Sequence, residues 1–303
     1  MSLENKYIIT VVGPTAVGKT ALAVLLAREY DTCVISADSR QIYKELSIGT
    51  AKPSKEERQG IIHYFIDSLS ITEPFNAGIF ERQGLALVKE LFKKHDVIIV
   101  CGGTGLYIKA LLEGMDTFPE TDSDLRKLLQ NEFAVKGLDA MVEELKIVDA
   151  LTYRSIDLKN PVRVLRALEV YRQTGIPISD LRKGSRKERP FQTIKIGLTM
   201  ERSLLNERID KRMDSMLAAG LENEAQENIQ FRHVNALQTV GYTEVFGHLD
   251  GEYDREEMVR LLKRNSRRYA KRQMTWFGKD PEINWFQPNQ VNDIVSYINK
   301  KLK

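Results

Sequence analysis

Gly13-Pro14-Thr15-Ala16-Val17-Gly18-Lys19-Thr20 puts two glycines, a lysine and a hydroxyl at the spacing G-x-x-x-x-G-K-[ST]. Glycines let backbone amides close around an anion, Lys19 adds a mobile cation, and the Thr20 hydroxyl can hold Mg²⁺. The chemistry is capture of a di- or triphosphate; the competing reading is a glycine turn that only joins strand to helix. The elements that must position these groups are present. A β-rich apolar run, Tyr7 to Val12, precedes the motif, and a helical pattern from Lys19 to about Tyr30 follows it, the strand-loop-helix setting the motif requires.

A second short strand, Thr32 to Ser36, ends at Ala37-Asp38-Ser39-Arg40-Gln41-Ile42-Tyr43. Ligands of open parallel sheets gather beyond the carboxyl ends of the strands, so Asp38 is expected to face the same crevice. Aspartate is also a common cap of a helical turn. A further apolar strand, Asp96 to Val100, runs into Cys101-Gly102-Gly103-Thr104-Gly105, which opens a helix from Leu106 to Leu112. P-loop ATPases and GTPases usually carry a metal-holding acid at this point. Here a Gly-Thr junction offers either a second anion cradle or a close packing turn, and nothing obvious positions a water for hydrolysis.

The chain has 303 residues, enough for one large α/β domain with an insertion or for two domains. A net charge of +3 excludes a globally cationic protein but permits local basic patches. Cys33 and Cys101 lie in apolar strands and suggest no disulfide, and the four histidines have no ligand-like spacing, so structural zinc is not expected. No apolar run approaches the roughly 20 residues of a membrane span, which points to a cytoplasmic protein.

Further strands are expected at Ile62 to Ile66, Gln192 to Thr199 and Glu282 to Phe286, with a helix capped by Asn76 between the first two. From Phe118 the strand signals vanish. Helices are expected at Asp122 to Val135, Leu138 to Leu145 and Asn160 to Thr174, the last punctuated by Asn160, Pro161 and Gly175. The domains are therefore 1–117 with 190–303 as catalytic core and C-terminal helices, and 118–189 as a helical insertion. Arg163 and Arg166 lie on one face of the third of these helices, and Arg182 to Arg189 form a basic loop. Helical patterns follow at Arg202 to Ala219, Leu221 to Ile229, Val240 to Leu249, Arg255 to Phe277 and Val291 to Leu302. In the helix from Arg255, Arg260, Arg264, Arg267 and Lys271 make a stripe suited to a phosphate backbone, while Met258, Leu262, Tyr269, Gln273 and Trp276 can dock on the core. Solvated helix faces are the ordinary alternative for both clusters.

These parts fit a transferase that takes a pyrophosphate-bearing donor and a nucleic-acid acceptor. They also fit a nucleotide-driven protein that controls its grip on RNA or DNA, which the missing acid weakens. A small-molecule kinase leaves the basic helix unexplained.

In order along nearly the whole chain, GPTAVGKT from Gly13, DSRQIY from Asp38, IGTAKP from Ile48, GGTGLY from Gly102, RVLRALE from Arg163 and QTVGY from Gln238 resemble the tRNA dimethylallyltransferase (tRNA isopentenylpyrophosphate transferase) family. The resemblance implies an α/β fold with a P-loop NTPase-like, mostly parallel sheet, flanking helices and an inserted all-helical domain. The implied reaction transfers a dimethylallyl group from dimethylallyl diphosphate to N6 of adenosine 37, 3′ to the anticodon of tRNA. The diphosphate loop then binds the prenyl donor and not ATP, through Gly13, Thr15, Ala16, Gly18, Lys19 and Thr20, with Mg²⁺ at Thr20. Asp38 is implied as general base. Thr104 and Arg212 are implied as catalytic groups that join Lys19 and Thr20 in holding the leaving pyrophosphate. Contacts to tRNA are implied for Asp38, Ser39, Arg40, Gln41, Thr104, Arg126, Arg163 and Arg166, and the basic helix adds Arg264, Arg267 and Lys271. The expected partners are an anticodon stem-loop and dimethylallyl diphosphate, and the expected state is a monomer. Val162 departs from relatives with a polar residue before the first arginine, which puts a side-chain contact there in doubt. The end at Lys303 without a zinc module suits the bacterial type. A related branch prenylates free adenine nucleotides; the helical insertion and the basic helix favour tRNA.

Overall fold

The computed structural model describes residues 5–119, 122–184 and 186–302. It divides into two compact units, one running to Glu113 and resuming at Glu188, the other spanning Gly114–Lys187. The boundaries thus lie a few residues before the 118 and 190 expected from the sequence.

The first unit is built on β1 (Tyr7–Val12), β2 (Val34–Ser36), β3 (His63–Tyr64), β4 (Val97–Cys101), β5 (Gln192–Leu198) and β6 (Asn284–Phe286). They form one sheet in the order β3-β2-β4-β1-β5-β6, every neighbouring pair parallel. Every residue of β1 is buried, as a central parallel strand covered on both faces must be. Register aligns Val11 with Cys101 and Val12 with Gly197, so the loops after β1, β4 and β5 leave the same edge of the sheet. Ser36 pairs with Cys101, which brings the loop after β2 to that edge too.

Two buried clusters support this edge. One fills the sheet faces with Ile9, Val11, Leu22, Leu26, Ile99 and Ile196. The other packs Ile42, Tyr43 and Leu46 against Met213, Met216, Tyr242 and Leu262, and so anchors the loop after β2 on the later helices. Those helices are Arg202–Ala218, Leu221–Glu227, Tyr242–Leu249 and Arg255–Phe277. The helix expected from Val240 starts two residues later because Gly241, at φ 109°, caps it. A four-residue helix, Lys55–Arg58, escaped the sequence patterns because it buries nothing; a Ser54–Glu57 capping box holds it.

The second unit contains the helices Ser123–Val148, Ala150–Ser155, Pro161–Thr174 and Ile178–Leu181. Ser123–Val148 is broken at Gly137 (φ 78°, ψ 175°), which explains why the pattern shows separate helices before Val135 and after Leu138. Asn160 accepts from Arg163 N–H, Pro161 opens the following helix and Gly175 closes it at φ 73°, as the local signals require. Leu129, Met141, Leu145, Val164, Leu168 and Ile178 form the unit's core. Arg172 clamps the broken helix, pairing Glu132 on one half and Glu144 on the other at 2.9 and 2.6 Å.

Candidate active site

β1 delivers the chain to Gly13, whose φ of 142° brings it so near β5 that a Cβ would lie 2.5 Å from the Leu198 carbonyl oxygen. Only glycine passes there. The loop then turns through Ala16, at φ 64°, and Gly18, at φ 108°, which caps the helix Lys19–Glu29. Lys19 is folded under the loop with its ammonium donating to Pro14 O at 2.8 Å. Burial pushes its pKa down to about 8; Cys101 and Asp38 oppose that shift and Arg212 adds to it. Cys101 stands at the end of β4, where nucleotide hydrolases hold their acid, and burial pushes its thiol up to about 11.

Asp38 follows β2 into the same cleft. One carboxylate oxygen accepts from the backbone N–H of Arg40 at 2.9 Å and of Gln41 at 3.4 Å. The turn-capping role and the cleft-facing role therefore coexist, the cap fixing the direction of the carboxylate. Its charge reaches Lys19, Arg212 and Tyr269. Ser39 is held by Thr104, whose Oγ1 accepts the Ser39 N–H at 3.0 Å and donates to Ser39 Oγ at 3.3 Å. Arg40 has a buried Nε without a hydrogen-bond partner. Gln41 is committed inward, its amide donating to Thr50 O and Ala51 O at 3.3 and 3.2 Å.

The junction after β4 is a packing turn first. A Cβ would lie 2.2 Å from Ala37 O at Gly102, 2.2 Å from Gln273 Nε2 at Gly103 and 2.1 Å from Trp276 Nε1 at Gly105. Its glycines admit Ala37 and the helix Arg255–Phe277, as the packing-turn alternative expects, while Gly102 and Gly103 also line the cleft. Thr104 holds Ser39.

Arg212 comes from the helix Arg202–Ala218 and is half-buried, and desolvation lowers its pKa against the raising fields of Asp38 and Glu57. It donates to Thr15 Oγ1 at 3.5 Å and to Ala51 O at 3.4 Å. Arg208 was missed by sequence reasoning; it lines the cleft, with a guanidinium nitrogen 3.9 Å from where a Cβ on Gly18 would sit. The available signal was its spacing one turn before Arg212 on the same helix face. The far wall is fixed by Glu224, which accepts the N–H groups of Ser47, Ile48 and Gly49 at 2.8, 2.8 and 2.9 Å and the Tyr242 hydroxyl at 2.6 Å. Gly49 has no Cβ because one would fall 2.5 Å from the Tyr242 ring. The IGTAKP and QTVGY stretches thus build one wall together. The cleft so enclosed has a volume of about 1030 Å³.

Thr20 also lines this cleft. Among the described residues no group of three or more His, Cys, Asp and Glu could hold a metal ion. A hard cation there fits only as Mg²⁺ usually binds, through one or two protein oxygens with the substrate phosphates supplying the rest.

The remaining candidates lie outside the cleft. In the helix Arg255–Phe277, Arg260 pairs with Glu257 at 2.5 Å and Arg267 with Asp210 at 2.5 Å. The expected stripe is therefore partly neutralised by a first-turn acid and by a neighbouring helix. Arg264 hydrogen-bonds Asn265 at 3.2 Å, and Lys271 is exposed. In the helical unit Arg126 and Arg163 are exposed, whereas Arg166 is tied to Glu169 at 2.6 Å and to Pro119 O at 3.1 Å.

A parallel α/β sheet with a glycine-turned loop after its central strand and a carboxylate in the same cleft defines a P-loop-like α/β class. The IPP transferase family model matches residues 41–280. The tRNA dimethylallyltransferase of Cytophaga hutchinsonii is 64% identical over 100% of both chains. That of Christiangramia forsetii is 44% identical over 98% of this chain and 99% of its own. The crystal structure of full-length tRNA isopentenylpyrophosphate transferase from Bacillus halodurans matches with a TM-score of 0.73 at 36% identity, covering 99% of this chain and 97% of that one. A eukaryotic dimethylallyltransferase acting on tRNA shares the fold at TM-score 0.78 and 24% identity. This chain belongs to the IPP transferase family. Among the described residues no helix is long and apolar enough to cross a membrane.

Proposed function

We propose that the protein transfers a dimethylallyl group from dimethylallyl diphosphate to N6 of adenosine 37, 3′ to the anticodon of tRNA, and releases pyrophosphate. The observation that carries this reading is the placement of Asp38 in one cleft with Lys19 and Arg212. The N6 amine attacks the allylic C1, the C1–O bond to the diphosphate breaks, and Asp38 takes the N6 proton. An exocyclic amine is a weak nucleophile, so a positioned carboxylate matters. Negative charge builds on the departing oxygens, where Lys19, Arg212 and the amides of the Gly13–Thr20 loop lie ready, and stabilisation that grows with that charge accelerates the step. Thr20 would hold Mg²⁺, which would neutralise part of the diphosphate charge.

Adenosine 37 must leave its stack to reach such a cleft, at a cost of about a few kcal/mol that contacts to neighbouring nucleotides offset. Ser39 and Arg40 stand beside Asp38 for the base, with Gln41 shaping the turn. Arg126, Arg163, Arg264 and Lys271 suit the tRNA backbone, with Arg166 and Arg267 supporting their surfaces from within ion pairs. We read the protein as a monomer working in the cytoplasm, where tRNA is. The test is incubation with Mg²⁺, isotope-labelled dimethylallyl diphosphate and an unmodified anticodon stem-loop with adenosine at position 37, followed by digestion and mass analysis. Label in N6-dimethylallyladenosine is expected. Label only in free adenine nucleotides supplied as competitors, or consumption of added ATP without transfer, would overturn the proposal.

A further inference from the structure

We infer that Gln273 is a positioning residue for the donor site: its side-chain amide sets the diphosphate loop against the loop after β4, and donor affinity depends on its hydrogen bonds to Thr15 and Gly103. The inference rests on the reading of Gly13–Thr20 as the donor's diphosphate loop. Gln273 lies on the helix Arg255–Phe277 and is 6% exposed. Its Oε1 accepts the Thr15 N–H at 2.8 Å, and its Nε2 donates to the Gly103 carbonyl at 3.1 Å. The partners themselves settle the amide's orientation, because an N–H needs an oxygen opposite it and a carbonyl needs an N–H. Gly103 leaves the space, since a Cβ there would lie 2.2 Å from Nε2.

Three features make this more than a buried contact. Thr15 is gripped twice, by Gln273 on its backbone and by Arg212 on its hydroxyl at 3.5 Å. The next residue, Ala16, sits in the left-handed region at φ 64°, a conformation that persists for a non-glycine only where its surroundings enforce it. The same amide meets Gly103, one residue from Thr104, which holds Ser39 beside Asp38. One side chain thus joins the leaving-group loop to the turn that carries the base. Glutamine is donor and acceptor at once at this reach; a glutamate carboxylate only accepts and would face the Gly103 carbonyl, whereas a protonated glutamic acid both donates and accepts.

The test measures the affinity of dimethylallyl diphosphate by calorimetry for the full chain and for Gln273→Leu and Gln273→Glu, from pH 8 down to pH 5.5. Each variant is read as a ratio to the unaltered chain at the same pH, so that titration of the diphosphate cancels. Gln273→Leu is expected to weaken donor binding about tenfold at every pH, the usual order for a buried hydrogen-bonding pair left unmatched. Gln273→Glu is expected to weaken it at pH 8 and to recover as the carboxyl takes a proton, Lys19 and Arg212 lowering and Asp38 raising the pH at which it does so, with Tyr269 the neutral group beside it. A role confined to fold stability would not give a pH-dependent ratio. Gly103→Ala, whose methyl displaces the amide, is expected to reproduce the Gln273→Leu loss, and the double variant to add little to either. Should Gln273→Leu fail to fold, Gly103→Ala and Gln273→Glu carry the test. Unchanged donor affinity in the variants, or a Gln273→Glu ratio flat across pH, would overturn the inference. Absence of donor binding by the unaltered chain would instead overturn the donor-site reading on which it stands.

Discussion

The cleft and the helical unit spend the same residue types in opposite ways. In the cleft Lys19 and Arg212 are half-buried and rest on Pro14 O, Thr15 Oγ1 and Ala51 O, with the Asp38 carboxylate acting on both from across the cleft and no direct ion pair to either. Desolvation lowers the pKa of both. In the helical unit the charges either answer one another or face water. Arg172 holds Glu132 so firmly that its carboxyl is lowered to about 2, while Arg126 and Arg163 are exposed. A buried, under-neutralised cation costs stability and is useful where negative charge develops. An exposed cation costs nothing and suits a long polyanion, at the price of sensitivity to salt.

The hardest test of the cleft's side of this contrast is Asp38→Ala. It should lower kcat by about 10² to 10⁴, the usual worth of a positioned general base, while donor affinity survives. Turnover near that of the unaltered chain would remove Asp38 from the chemistry. Next in size is Glu224→Ala. It orphans three loop N–H groups and the buried Tyr242 hydroxyl, and each unsatisfied buried donor costs about 1 to 3 kcal/mol. A loss of at least about 3 kcal/mol is expected by chemical denaturation, and a smaller one would mean that water replaces the carboxylate.

All six strands were legible as short apolar, β-branched or aromatic runs between turn signals, and the loop after β1 by its glycine spacing. Helix boundaries were legible where residues announced them, as Asn160, Pro161 and Gly175 do. What the sequence left hidden are relations between distant segments. Gly49 and Tyr242 stand in separate motifs, and only the fold shows that one makes room for the other. The stripe on Arg255–Phe277 looked unopposed because Asp210, which neutralises Arg267, lies on another helix. Gln273 looked like packing, since nothing local indicates that Thr15 and Gly103 flank it.

A smaller effect, with a definite sign, concerns pH. Lys19 is cationic below about 8 and neutral above it, so affinity for the donor should fall as pH rises through that value. Binding of the diphosphate favours the ammonium, so above about 8 complex formation should take up a proton, seen as a dependence of calorimetric heat on buffer ionisation. Lys19→Met should bind weakly and lose both effects. If the unaltered chain showed no proton uptake, the ammonium would be retained in the free cleft and the contrast with the surface cations would weaken.

The smallest effect divides two arginines that the sequence placed together. Arg163 is exposed and its side chain projects from the first turn of Pro161–Thr174, so Arg163→Ala should leave stability untouched. If it meets a phosphate, tRNA affinity falls uniformly across sequences and the slope of log K against log salt drops by about 1. Arg166 lies one turn on, but its guanidinium is 2.6 Å from Glu169, whose side chain is buried. Arg166→Ala leaves that carboxylate short of its cation, so the helical unit should lose about 1 to 3 kcal/mol of stability and RNA binding should weaken through the fold, with the salt slope unchanged. Arg166→Ala combined with Glu169→Leu separates the two roles. Replacing a buried pair with apolar groups restores packing without restoring charge, so stability should return, and any tRNA affinity still missing measures what Arg166 itself offers the RNA. A reduced salt slope for Arg166→Ala would place it beside Arg163 as a phosphate contact, and the helical unit would then resemble the cleft in using a half-buried cation for binding.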